Sequence, residues 1–236
     1  MRILLIAGHG GTDCGACAFG KKEADLTREL VPMIRNELRQ YDVQVDQYNP
    51  QYSAYHDIIA CGKKYNFKPY DYVLEVHFNA YRQDPGNGKT MGTEIYVTPT
   101  EKITTAEEAI VRKISALGLK NRGVKRGKLA VILRAKAQGV SAALLEVCFM
   151  DDGDDMRIYN AKKQQIAKAI ADGIAEGYKL KKKGGETMLK KNVPSSWAKE
   201  AWGKATQKGI IDGLRPHDKC TREEVVTMLY RLGLFK

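Results

Sequence analysis

At 236 residues the chain can bury one sizeable α/β core and leave room for a small second domain. Its net charge is +11, divided +4 over residues 1–180 and +7 over residues 181–236, so the basic excess is concentrated in the last quarter and suits a polyanion such as nucleic acid, an anionic membrane or an acidic cell-wall polymer. No apolar run reaches the roughly 18 residues of a membrane span, and the five Cys lack the regular spacing of a disulfide framework.

The first apolar stretch, Arg2–Ala7, is too short for the core of a signal peptide and reads as a buried strand. Synthesis in the cytosol without signal-directed export is the expectation. Glu23–Tyr41 places Leu26, Leu30, Ile34 and Leu38 at helical spacing, and the alternating stretch Asp42–Tyr48 follows as a strand. Tyr70–Ala80, Gly92–Pro99 and Val140–Met150 read as strands, while residues 104–119 and 161–180 read as amphipathic helices. Strands alternating with helices predict an α/β fold: a mainly parallel sheet covered on both faces, with ligands bound beyond the carboxyl ends of the strands.

Residues 181–191 are charged, glycine-containing and aperiodic. They read as a linker between a first domain, residues 1–180, and a small helical domain, residues 192–236. Two helices are expected in this tail, with Ser196 as a cap of the first and Thr221 with Glu224 as a capping box for the second. Both Trp of the chain, Trp197 and Trp202, fall here and are expected in the tail's own core or binding face.

Four residues of the first domain carry chemistry. His9 directly follows the first strand, and His77 sits near the end of another. If those strands are neighbours in a parallel sheet, both imidazoles emerge at one edge, and Glu23, opening the first long helix, can reach the same place. Two His and a carboxylate form a common catalytic zinc set that leaves a fourth position open to water. Glu146 lies inside an apolar strand, where an unpaired charge is costly. Beside such a metal it would take a proton from water and later give it to a leaving amine. Taken singly, each also fits a structural role: a His after a strand is most often structural, and Glu146 would then pair with a core Arg or Lys. Cys14 and Cys17 form a CxxC with no second CxxC to complete a structural zinc site, and read as small loop residues. His56 reads as a surface residue, and Asp151, Asp152, Asp154 and Asp155 as a solvated loop.

Taken in order, "AGHGGTDCGA", the Glu of "KKEADLT", "EVHFNA", "GTEIYV", "NRGVKRGKLAVIL" and "ALLEVCFMDD" resemble the zinc-dependent N-acetylmuramoyl-L-alanine amidases of the type 3 family over Arg2–Leu180. The resemblance implies a twisted, mostly parallel six-stranded sheet flanked by helices, Zn2+ held by His9, Glu23 and His77, and Glu146 as catalytic acid/base. The implied reaction is hydrolysis of the amide between the lactyl group of N-acetylmuramic acid and L-alanine of the stem peptide. The chain departs from the family pattern at Glu75, where Ser is usual, and in residues 47–65, which lack the Arg and Asp pair that relatives often carry. After Glu146 it continues Val-Cys-Phe-Met-Asp-Asp rather than with a Gly and Asn. No autoinhibitory helical insertion is visible, so an open site is expected.

The tail resembles a single S-layer-homology repeat through Trp197, Ala201, Gly209, Ile210, Gly213, Thr221, Arg222 and Leu229. That implies binding to an anionic secondary cell-wall polymer; the alternative is a helical extension of the first domain. Together the two parts resemble the endolysins by which phages lyse Gram-positive hosts. Peptidoglycan is then the substrate, and the protein waits in the host cytoplasm for holin-type release. Nucleic-acid binding is not expected, because no base-reading motif is present. A zinc peptidase cutting within the stem peptide and a non-catalytic wall-binding protein are the competing readings. In the linker, Lys183–Glu186 can be encoded as a ribosome-binding sequence one codon short of Met188. A second translation start there would give a free tail of 49 residues able to assemble with the full-length chain.

Overall fold

The opening apolar run forms β1 (Arg2–Ala7) of a six-stranded sheet in the computed structural model, which describes residues 1–183, 194–208, 210, 211, 220 and 222–234. The other strands are β4 (Gln44–Gln47), β5 (Tyr72–Asn79), β6 (Thr93–Val97), β7 (Asn121–Arg126) and β8 (Ser141–Phe149), in the order β4-β1-β5-β8-β6-β7. Every pairing is parallel except that of β6 with β8. A short ribbon of β2 (Cys17–Ala18) and β3 (Lys21–Lys22) precedes the first helix. The helices of this unit are α1 (Glu23–Leu38), α2 (Thr105–Ser115), α3 (Ala130–Ala137) and α4 (Gly153–Gly177), with a π-helical turn at His56–Ala60.

Because strand side chains alternate between faces, the central strands feed two cores. On one face Ile3, Leu5, Leu74, Val76 and Leu145 meet the apolar stripes of α1, α2 and α4. The other face is covered by a shorter layer: Leu4, Ile6, Val73, Ala142 and Leu144 pack with α3 and with Ala54, Ile58 and Phe67. This layer stops partway along the strands, and the sequence changes character where it stops. On that face β5 reads Val73, Glu75, His77, Asn79, and β8 reads Ala142, Leu144, Glu146. The apolar residues occupy the amino ends and the polar ones the carboxyl ends, which leaves this face of the sheet polar at its carboxyl rim.

α4 begins well before the expected residue 161. Asp152 caps it by accepting the Asp155 backbone N–H at 2.8 Å. The four Asp expected in a solvated loop are instead buried. Asp151 accepts the Tyr81 N–H, Asp154 those of Asn87 and Gly88, and Asp155 those of Gly92 and Phe149, so these carboxylates staple the segment 80–92 to the start of α4. The helix kinks at Lys162, whose ammonium donates to the Leu117 carbonyl at 2.8 Å.

The chain divides into two compact units, Met1–Lys181 and Lys182–Lys236. The second contains a 3-10 turn at Ser196–Ala198 and helices at Lys199–Gln207 and Arg222–Arg231, none of which buries a residue. Ser196 lies inside the 3-10 turn rather than capping a helix; Ser195 stands at the cap position without a side-chain hydrogen bond. Trp197 is 88% exposed and so belongs to the surface of this unit, not to a core. Arg231 reaches back to the Ile210 carbonyl at 3.1 Å. Gly209, Gly213, Thr221 with its expected capping box, and the Gly-Gly and Met188 of the linker lie outside the described residues. Among the described residues no helix is long and apolar enough to cross a membrane.

Candidate active site

The chain leaves β1 through a tight turn in which His9 takes a left-handed backbone conformation, φ 60°. A non-glycine residue there is held by its surroundings. The holding group is Arg28 of α1, whose guanidinium donates to the Gly8 carbonyl at 2.9 Å and the His9 carbonyl at 2.7 Å. Thr27 adds a hydroxyl bond to the Gly8 carbonyl at 2.9 Å. His9 Nδ1 lies 2.9 Å from Asp13 Oδ2, and Asp13 is fixed in turn by the Gly15 N–H at 3.0 Å. With Nδ1 occupied, the His9 ring presents Nε2 to Glu23 Oε2 at 3.0 Å.

Glu23, the first residue of α1, ties three segments together. Oε2 also accepts the Ala16 N–H at 3.0 Å, and Oε1 accepts the Phe78 N–H at 3.0 Å while lying 2.9 Å from His77 Nδ1. Burial would raise its pKa, but the hydrogen bonds from His77 and His9 outweigh that and hold the carboxyl well below the usual range. His77 shows the reverse balance: burial opposes its charge, yet Glu23 and Glu75 raise it well above the ordinary value. Glu75 Oε1 lies 3.4 Å from His77 Nε2, so the ring is bracketed by two carboxylates. One ligand atom each from His9, Glu23 and His77 falls within 4.8 Å of the others. Gly15 closes this group: at φ +65°, a Cβ there would stand 2.6 Å from His9 Cδ2 and 2.7 Å from Glu23 Oε2.

Glu146 lies directly beside His77 in the β5–β8 register and beside Glu94 in the β6–β8 register. Its Oε2 is buried with no hydrogen-bond partner. Burial pushes its pKa up to about 7, aided by Glu23, Glu94 and Glu75 and opposed by His77. A carboxyl so poised exchanges protons readily at neutral pH. Cys14 and Cys17 are exposed, with their sulfurs 3.4 Å apart, and His56 is exposed in the π-helical turn. None of these three joins the His9–Glu23–His77 group.

Sequence reasoning missed Asp13, Arg28 and Glu94. Glu94 is 2% exposed. It accepts from Asn79 Nδ2 and Tyr96 Oη, both at 3.0 Å, and is paired with Arg122 and Lys125. A carboxylate within the apolar strand "GTEIYV" carries the same signal that marked Glu146.

The family model of N-acetylmuramoyl-L-alanine amidase matches residues 3–176. The endolysin of Bacillus phage SPP1 is 33% identical over 204 residues, covering 82% of this chain and 72% of that protein. The sporulation-specific N-acetylmuramoyl-L-alanine amidase of Bacillus subtilis strain 168 is 24% identical over 200 residues, covering 82% and 74%. Among solved structures, the N-acetylmuramoyl-L-alanine amidase from Clostridium difficile 630 shares the fold with a TM-score of 0.60 at 23% identity, covering 73% of this chain and 94% of that one. With a family model spanning nearly the whole first unit, and an α/β sheet that ends in this cluster of His and Glu, the chain belongs to the N-acetylmuramoyl-L-alanine amidase family.

Proposed function

We propose that the chain is a zinc-dependent peptidoglycan amidase that hydrolyses the bond between the lactyl carbonyl of N-acetylmuramic acid and the L-alanine nitrogen of the stem peptide. The observation that carries this reading is the convergence of His9, Glu23 and His77 opposite a buried, unpartnered Glu146 oxygen. Two imidazoles and one carboxylate with an orienting Asp13 fit the donor preference of Zn2+ and leave a position open. When bound, Zn2+ supplies Lewis acidity that polarises the scissile carbonyl and acidifies water. Glu146 Oε2 takes the proton of the attacking water and returns it to the departing L-alanine nitrogen. Its pKa of about 7 lets it serve in both directions at neutral pH. Asp13 keeps the His9 imidazole turned toward Glu23, the Glu75 carboxylate stands 3.4 Å from His77 Nε2, and Arg28 fixes the backbone that carries His9.

Mass spectrometry of digested walls tests the reaction. Stem peptides released with a free N-terminal L-alanine support the amidase. Cuts within the stem would favour a zinc peptidase, and binding without release a wall-recognition protein. The likeness to a phage endolysin supports a lytic role at the wall of a Gram-positive host after release from its cytoplasm. The second unit, with a net charge of +6 over residues 182–236, suits an anionic wall polymer as its ligand. Deleting residues 188–236 should spare hydrolysis of soluble fragments and weaken lysis of whole cells; equal lysis by both forms would remove the targeting role. Translation from Met188 would add free 49-residue tails that raise avidity by assembling with the full-length chain. A short fragment that persists in the Met188→Leu variant would show proteolysis instead.

A further inference from the structure

The edge strand β7 carries two cations where strand geometry should separate them. Residues three apart on a regular strand point to opposite faces, yet Arg122 and Lys125 both reach Glu94 Oε2. The register explains this: Thr93 pairs with Asn121 and Ile95 with Val124, so three steps on β7 match two on β6. The extra residue falls at Gly123, whose φ of +79° marks the bulge. Bulges recur beside active sites, where they redirect side chains. The two cationic heads are held in place. Arg122 lies 4.9 Å from the Phe149 ring centroid, and Lys125 lies 5.6 Å from that of Tyr96. Glu94 itself is held by Asn79 and Tyr96. Burial would raise the Glu94 pKa, but Lys125 and Arg122 keep it below the ordinary value, so it stays ionised.

Two cations facing one carboxylate leave a surplus of one positive charge. Neutralising Glu94 needs only one of them, which leaves the other able to meet an incoming anion on the side away from Glu146. Both side chains remain reachable, with 25% and 35% exposure. The cluster stands one strand from Glu146, since Glu94 and Glu146 are register partners. On the substrate side, the glycan and the lactyl amide carry no charge close to the scissile bond. The nearest carboxylate belongs to the second stem residue, a γ-linked D-glutamate whose α-carboxyl is free in some walls and amidated in others. In an extended chain it lies about 7 Å from the scissile nitrogen, between one and two strand spacings of about 4.8 Å.

We propose that Arg122 and Lys125, held by Glu94 on the β7 bulge, form a specificity subsite for the free α-carboxylate of the second stem residue. The inference rests on the amidase reading above. Its test uses two soluble peptidoglycan fragments that differ only at that residue, D-isoglutamate in one and D-isoglutamine in the other. The wild-type protein with zinc is expected to favour the acid in kcat/KM by about ten- to hundredfold, the range of a charge-assisted hydrogen bond, mainly through KM. Lys125→Met and Arg122→Gln each leave one cation for Glu94 and should bring that ratio close to one, whereas Lys125→Arg should keep it. Equal use of both fragments by the wild type would overturn the subsite. So would variants that slow both fragments alike at an unchanged ratio, the mark of a structural role. Failure of the wild type to cleave either fragment would overturn the amidase reading and this inference with it.

Discussion

Replacing Glu146 by Gln should stabilise the metal-free protein and disable the loaded one. The wild-type carboxyl sits at about 7 against an ordinary 4.5. That difference corresponds to roughly 3 kcal/mol at 1.36 kcal/mol per pH unit. The folded state holds this proton more tightly than the unfolded state does. The group therefore costs nothing below about pH 4.5, costs progressively more as pH rises, and costs its full amount above pH 7. Gln does not titrate, so metal-free Glu146→Gln should gain on the wild type by up to ~3 kcal/mol at pH 8.5 and show little of that gain at pH 4.5. With zinc present its turnover should fall about 10²–10⁴-fold, the usual worth of a general acid–base group. Urea unfolding of chelator-treated proteins at the two pH values measures the first effect. The signal should be circular dichroism, because both Trp, Trp197 and Trp202, lie in the second unit, while Glu146 lies in the first. A stability difference that stays flat with pH would refute the buried-charge argument, and near-normal turnover would remove Glu146 from proton transfer.

Gly15→Ala sets a methyl group against His9 and Glu23 in a left-handed backbone, so zinc affinity should drop about 10–100-fold, as for lost ligand support; competition against a chromogenic chelator would show whether the loop yields instead. Stripping the metal should abolish turnover and lower the melting temperature of the first unit, because ligand at 1,000 times its Kd adds about 4 kcal/mol; an unshifted melting curve would mean that the site does not bind the ion in the folded state. Asp155→Ala strands the N–H groups of Phe149 and Gly92 and should cost about 2–5 kcal/mol; a loss below about 1 kcal/mol in urea melts would show that water replaces the carboxylate.

Strands β1, β5 and β8 and helix α1 are legible in the sequence because each is dominated by apolar residues, in a run or at helical spacing. β7 and α3 are not, since Asn121–Arg126 is mostly polar and its bulge breaks the alternation. His9, Glu23, His77 and Glu146 stand out because each is a polar residue set into or against an apolar run. Arg28 looks like any charge on a helix, and only the folded chain brings it to carbonyls 19 and 20 residues away. The Asp cluster misleads for a related reason. Its partners are backbone N–H groups, which leave no side-chain signature, and the Asn87 and Gly88 groups lie 67 and 66 residues from Asp154.

The reversed direction of β6 has a consequence for how this scaffold can diversify. Among the connections joining the strands of the large sheet, the segment 80–92 alone leaves from and returns to the rim where His77 and Glu146 lie, because β5 ends there and antiparallel β6 begins there. The other links cross between the two rims or, like that from β7 through α3 to β8, stay on the far one. Insertions or exchanges in 80–92 can therefore reshape the rim beside His77 and Glu146 without repacking a helix. The carboxylates of Asp151, Asp154 and Asp155 provide fixed docking points for whatever loop is placed there. Exchanging this one segment between relatives would alter the rim beside His77 and Glu146 while the strands that carry them stay unchanged.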